Sequence, residues 1–186
     1  LDTSDDLLNP TRGYRLALEL RPYFVDRTFV RTDLAASTVY DVREEGGLVL
    51  AVRARLGAIV GEQLLAVPSD KRFFSGGGGS VRGFAYQAIG PRTEEDDPLG
   101  GRSLFELGFE ARVRLSERIG LVPFVEGGQV FEEGFPSFEA DLQFGAGLGL
   151  RYFTAIGPLR FDVAFPIDKR EGDDDFQVYV SFGQAF

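Results

Sequence analysis

The stretch from Ser103 to Ser116 constrains the fold more than any other part of the chain. Phe105, Leu107, Phe109, Ala111, Val113 and Leu115 fall on one side of an extended backbone, and Glu106, Gly108, Glu110, Arg112 and Arg114 fall on the other. Successive side chains of a strand point to opposite faces, so this is the period of a β-strand and not of a helix. The phase recurs along the chain. Arg15, Glu19 and Arg21 oppose Leu16, Leu18 and Leu20; Arg53 and Arg55 oppose Leu50, Val52 and Leu56; Arg160 and Asp162 oppose Leu159, Phe161, Val163 and Phe165. Proline or glycine interrupts nearly every window long enough for a helix. Eight strands are expected near 13–24, 29–40, 48–59, 103–116, 119–131, 142–153, 157–165 and 176–186. A soluble sandwich also alternates, burying its apolar face. Mixed charges on one face and lipid-like side chains on the other describe instead a transmembrane barrel with a wet lumen. The expected fold class is all-β: an antiparallel transmembrane β-barrel, with 1–186 as one domain.

Strand lengths agree, because about 9 to 11 tilted residues cross a bilayer. Outer-membrane-type barrels alternate short periplasmic turns with long outer loops. The connections at 116–118 and 154–157 are short, and those at 60–102, 132–141 and 166–175 are long. The first two, 25–28 and 41–47, run against that alternation. This phase places 60–102 outside as a long extracellular loop and the C-terminus on the periplasmic side. Within that loop stand four consecutive glycines, Gly76, Gly77, Gly78 and Gly79, followed by Val81-Arg82-Gly83-Phe84. Such a run is backbone that turns sharply or lies close against something. Phe73, Phe74, Val81, Phe84 and Tyr86 are too apolar for a solvated linker, so the loop is expected to fold back into the lumen. A guanidinium taken there needs acceptors. The inward-facing candidates are Glu106, Glu110 and Glu126.

Composition removes whole classes of function. The 186 residues contain no cysteine and no histidine, which excludes thiolate chemistry, a Ser-His pair and the commonest metal ligands. A net charge of −9 with no basic cluster argues against nucleic acid. No run of eighteen apolar residues is present, so a transmembrane helix is not expected. No leader is expected at Leu1, which suggests a mature form or an excised fragment. No catalytic residue, metal site or cofactor is predicted.

The segment Phe73-Phe74-Ser75-Gly76-Gly77-Gly78-Gly79-Ser80-Val81-Arg82-Gly83-Phe84 resembles the signature loop of the BamA/TamA superfamily of outer-membrane protein assembly factors. Ala85-Tyr86-Gln87 and Gly100-Gly101-Arg102-Ser103-Leu104 are similar to its TamA-like branch. Phe124-Val125-Glu126-Gly127-Gly128 resembles the family's Phe-x-Asp-x-Gly motif, with Glu126 where the family has Asp. The resemblance implies that Phe124 and Glu126 meet Arg82, that Glu110 is the acidic position on the preceding strand, and that Arg151 points inward. Gly157-Pro158-Leu159-Arg160-Phe161-Asp162 is also family-like. The expected inner face carries Arg112, Gly145, Gly147, Gly149, Arg151, Arg160 and Asp162, the three glycines leaving room for loop backbone. The alternation of Phe176, Val178, Val180, Phe182 and Phe186, with Gly183 inside it, resembles a C-terminal β-signal. Family members have sixteen strands with the signature loop between the eleventh and twelfth. This chain therefore resembles strands nine to sixteen, opened by Leu8-Asn9-Pro10-Thr11-Arg12-Gly13, without POTRA domains.

The resemblance implies a non-enzymatic outer-membrane protein assembly or translocation factor in the bacterial outer membrane, truncated here. Its implied partners are outer-membrane lipids and either client outer-membrane β-strand proteins or a periplasm-spanning partner. The alternative is a passive eight-stranded barrel with a plugged lumen or narrow pore. An enzyme would need Glu110 and Glu126 as an acid dyad, and Arg82 accounts for both acids more simply. Closure stays open between one eight-stranded barrel, self-association of two copies into a sixteen-stranded ring, and irregular pairing. The single barrel, with the first and last strands antiparallel neighbours, is the expectation carried forward.

Overall fold

Each alternating run hydrogen-bonds to the next run in the chain, so the sheet of this computed structural model is a simple meander. The structure describes residues 1–24, 27–43, 46–137, 141–170 and 172–186. The strands are β1 (Gly13–Tyr23), β2 (Phe29–Asp41), β3 (Leu48–Val60), β4 (Ser103–Arg114), β5 (Ile119–Phe131), β6 (Gln143–Thr154), β7 (Gly157–Pro166) and β8 (Gln177–Phe182). They form one eight-stranded sheet in chain order, every pair antiparallel. No helix among the described residues is long and apolar enough to cross a membrane.

The two faces separate as the alternation requires. Phe109, Phe161, Val180 and Phe182 are exposed on the outer face, while Glu106, Glu110, Arg112, Glu126, Arg151, Arg160 and Asp162 are buried on the inner one. An apolar row left facing outward, over charges turned inward, suits a lipid surround and not a soluble core. The 61–102 connection covers the inner row at Glu106, Glu110, Glu126, Arg160 and Asp162, while Pro10, Gln184 and Phe186 meet Arg112 and Arg151. The connection makes two single 3-10 turns, Leu64–Ala66 and Ser69–Lys71, and is tied to itself where Phe73 pairs with Gly101 and Ser75 with Ile89. Phe73 and Val67 join Phe29, Ile59, Leu104 and Val130 in one apolar cluster near the loop's base. Val81, Phe84, Ala88 and Ile89 form a second cluster within the loop itself. A loop with its own apolar core can hold a shape, which a glycine run alone could not.

The loop meets β1 at Tyr23, whose ring centroid lies 5.8 Å from Lys71 Nζ and which packs against the Val67–Phe73 cluster, and leaves the preceding residues uncovered. Glu19 and Arg21 stay exposed there, paired with each other at 2.5 Å.

Two sequence expectations are corrected. The last strand stops at Phe182 and does not run to 186. Gly183 has φ +86°, a left-handed backbone that favours glycine, and it turns the chain inward. Phe186 consequently leaves the outer row and packs against Val39, Val49 and Ala51 on the inner side. The second correction concerns closure: among the described residues no ladder joins β1 to β8, so the single eight-stranded barrel is not formed. Eight strands close around a space that side chains nearly fill, and this sheet must wrap a long folded loop. Part of the free edge of β1 is also occupied. Leu16 N–H donates to the Leu1 carbonyl at 2.8 Å and Thr3 N–H to the Tyr14 carbonyl at 3.0 Å.

Candidate functional site

The glycine run makes a tight turn at the tip of the loop, with Ser80 N–H donating to the Gly77 carbonyl at 3.0 Å. The turn delivers Arg82 to the inner face of β4, β5 and β7, where it is wholly buried. Four of the five guanidinium N–H groups find carboxylates. Nε donates to Glu126 Oε2 at 3.0 Å, and Nη2 donates to Glu126 Oε1 at 2.8 Å and to Glu110 Oε1 at 2.7 Å. Nη1 donates to Asp162 Oδ2 at 2.7 Å. The Arg82 main-chain N–H adds a fifth bond, to Glu126 Oε2 at 2.8 Å. Phe124 closes the remaining face, its ring centroid 3.5 Å from the guanidinium carbon. Planar, forked recognition of this kind is specific to arginine.

Register explains why these residues meet. Glu110 and Phe124 are direct partners across β4 and β5, and Glu126 lies two residues further along β5 on the same face. Glu106 is four residues from Glu110, roughly 13 Å along the strand, and is beyond the guanidinium. It receives instead the hydroxyl hydrogens of Ser75, at 2.7 Å, and Ser80, and pairs with Arg53 at 3.3 Å. Glu106 therefore anchors the glycine turn while the other acids anchor Arg82, a division that composition and alternation could not resolve.

The remaining inward cations brace the acids. Arg112 Nε donates to Glu110 at 3.0 Å, and its Nη2 reaches the Phe186 main-chain oxygen at 2.6 Å. Arg151 and Arg160 both pair with Asp162. Arg160 also donates to the Gly78 carbonyl at 2.9 Å. The three glycines of β6 serve three different neighbours. A Cβ on Gly145 would overlap the Arg82 carbonyl oxygen, so only there does loop backbone press on the strand. Gly147 leaves space for the Phe124 ring, and Gly149 for the Asp162–Arg151 pair. Gly83 passes close to the Phe165 carbonyl.

The sequence places Asp162 on the inner face and does not mark it as a partner of Arg82. Its signal is visible in retrospect, since β7 carries no other acid between Gly157 and Pro166. Tyr179 on β8 has no motif to mark it. It donates to the Phe84 carbonyl at 3.0 Å and accepts from Gly83 N–H at 3.1 Å. Of the C-terminal alternation, Phe176 precedes β8 and packs obliquely on Phe165, centroids 6.3 Å apart. Val178, Val180 and Phe182 are exposed on the outer face.

The arrangement holds each acid with at least one guanidinium. What it can do is hold a long loop at one depth inside the sheet.

Comparison with known proteins gives this geometry a context. The Omp85 superfamily domain matches residues 1–186. The chain is 29% identical over 195 residues to the outer membrane protein assembly factor BamA of Nitratidesulfovibrio vulgaris, covering 100% of this chain and 24% of that protein. It is 31% identical over 186 residues to the BamA of Neorickettsia risticii, covering 93% and 24%. A SAM50-like protein of Schizosaccharomyces pombe is 28% identical over 189 residues, covering 92% and 40%. The crystal structure of BamA from Haemophilus ducreyi lacking POTRA domains 1–3 superposes with a TM-score of 0.77 at 22% identity, covering 95% of this chain and 39% of that one. The chain thus spans 24% to 40% of these curated relatives' lengths.

Proposed function

The chain belongs to the Omp85 superfamily, and from that premise we propose that it is the C-terminal half of an outer-membrane assembly barrel, inserting or translocating other outer-membrane chains without enzymatic chemistry. The observation that supports this reading best is the pairing of an internally clamped loop with an unpaired strand edge. The Arg82 clamp fixes the inner face of β4, β5 and β7, while β8 pairs with β7 over six residues and, among the described residues, with no strand on its other side. An unpaired strand edge is a template for another strand. A client strand adding there by main-chain hydrogen bonds, with side chains alternating between lipid and lumen, is β-augmentation. The C-terminus and β8 would then lie at the seam, with the long loops outside and the chain end periplasmic.

The antiparallel pairing of Leu1–Thr3 with Tyr14–Leu16 supports the half-barrel form of this reading, because it begins a further strand on the free edge of β1. Ala85-Tyr86-Gln87 and the Gly100–Leu104 segment support a TamA-like placement within the superfamily.

The test places a photo-crosslinking residue at Val180 on β8 and, as control, at Val125 on the central strand β5. A client's C-terminal strand should cross-link at 180 and not at 125. Equal labelling at both positions would sink the proposal. Absence of labelling together with ion conductance through the reconstituted protein would favour a passive pore.

A further inference from the structure

Tyr179 is the side chain of β8 that hydrogen-bonds to the inward loop, and it does so twice, on either side of one peptide unit. Its hydroxyl accepts from Gly83 N–H and donates to the Phe84 carbonyl. Its ring lies against Gly78, where a Cβ would sit 2.8 Å from ring carbon Cδ1. One residue thus touches both arms of the glycine turn that carries Arg82. The residue sits on the strand with the least support. β8 is six residues long, its ladder runs only to β7, and Val180 is 72% exposed.

Beyond its six-residue ladder to β7, β8 is braced at both ends and in the middle by further contacts, several of them to the loop. At the end of the strand, Gly183 N–H donates to the Pro158 carbonyl at 2.8 Å, and Gln184 bonds to Leu8, Asn9 and Arg151. At its start, the β7–β8 connection is clasped to the loop by Arg170, which donates to the Ala88 and Gly90 carbonyls, and by Arg92 with Asp173 at 3.5 Å. Between those two ends, Tyr179 is the tie that reaches the loop. The tip in turn is held on β4, β5 and β7 by Arg82, whose hydrogen bonds to the strands go, among the described residues, to Glu110, Glu126 and Asp162.

We infer that Tyr179 is a positioning residue that makes the seating of the loop tip and the ordering of the edge strand β8 one cooperative event. Withdrawal of the tip removes both hydrogen bonds and the surface under the Tyr179 ring, leaving β8 with a short one-sided ladder. Fraying of β8 likewise leaves Gly83 N–H and the Phe84 carbonyl without their partner inside the lumen, where unmade hydrogen bonds are costly. The coupling is reciprocal by thermodynamic necessity. It gives the loop control over whether the β8 edge is an ordered template. The inference concerns the coupling alone and stands apart from the assembly reading, since it requires no client.

Hydrogen exchange read by mass spectrometry on the whole protein in lipid tests it. In the unmodified protein, peptides covering 76–84 and 177–182 should open with the same denaturant dependence. Tyr179→Phe keeps the ring and loses the hydroxyl; two lost neutral hydrogen bonds should speed exchange in both peptides about tenfold, with β4 to β6 unchanged. Arg82→Lys, which keeps both Tyr179 hydrogen-bond partners and loosens the tip from β4, β5 and β7, should speed exchange in 177–182 in step with 76–84. The inference is overturned if either variant frees one peptide and leaves the other protected, or if the two peptides of the unmodified protein open independently. Should Tyr179→Phe fail to fold, the Arg82→Lys and unmodified measurements decide alone.

Discussion

Replacing Arg82 by alanine is the sharpest test of the clamp, because the structure says which acid suffers. Removing one partner of a buried ion pair usually costs about 3–5 kcal/mol, through the uncompensated charge left behind. In Arg82→Ala that cost is unevenly spread. Glu110 keeps Arg112 at 3.0 Å, and Asp162 keeps both Arg151 and Arg160. Among the described residues Glu126 keeps the main-chain N–H of residue 82 and Arg53 at 3.4 Å. The loss should therefore fall near the lower end, about 3 kcal/mol, concentrated on Glu126. Since about 1.4 kcal/mol is tenfold in an equilibrium, the population with the loop released should rise about a hundredfold.

A protease that cuts after aromatic residues, added from the outer side, reads this population when the loop recloses faster than it is cut. Phe73 and Phe84 are buried, whereas Tyr86 is 78% exposed and serves as the internal control. Cleavage after Phe84 should accelerate about a hundredfold and cleavage after Tyr86 should change little. Glu126→Gln in the alanine background should restore much of the protection, with a coupling of about 0.5–3 kcal/mol. Glu110→Gln should restore little, since Arg112 still holds that acid. Lysine at 82 should protect only in part, having lost the fork. Strictly additive losses, equal rescue by the two glutamines, or an unchanged Phe84 cleavage rate in Arg82→Ala would refute the argument.

Three further outcomes follow from the geometry. Gly145→Ala sets a methyl group on the Arg82 carbonyl and should destabilise by about 1–3 kcal/mol, as overpacking does; Gly79→Ala, with nothing within 4 Å of the added atom, should be close to neutral in the same thermal-unfolding assay. Spin labels at 109 and 110 should respond oppositely to a lipid-soluble quencher, strongly at 109 and weakly at 110, and equal quenching would contradict the assigned faces. Cysteines at Leu18 and Val180 should form no disulfide within one chain, and efficient intrachain cross-linking would restore the closed eight-stranded barrel.

How much of this was legible beforehand differs from residue to residue. The alternation in β4 assigned Phe105 to Leu115 outward and Glu106 to Arg114 inward without any tertiary information, because the side-chain period of a strand is a property of the backbone alone. The absence of cysteine and histidine likewise excluded chemistry by residue type. The apolar content around Gly76–Gly79 indicated an inward loop, because exposed aromatic surface at that density is unfavourable in water. What the linear chain could not state is depth. Glu106, Glu110 and Glu126 are alike in sequence terms, all acids on inner faces. Only the stagger of β4 against β5, and the point where the glycine turn stops, decide that Glu106 receives serine hydroxyls and Glu126 the guanidinium. Asp162 and Tyr179 join the tip through contacts 80 and more residues apart in sequence, which alternation does not encode. Closure was decided by tertiary structure for a related reason. Local pattern dictates that a strand forms and which way it faces, but whether β1 and β8 meet depends on the space the loop demands between them.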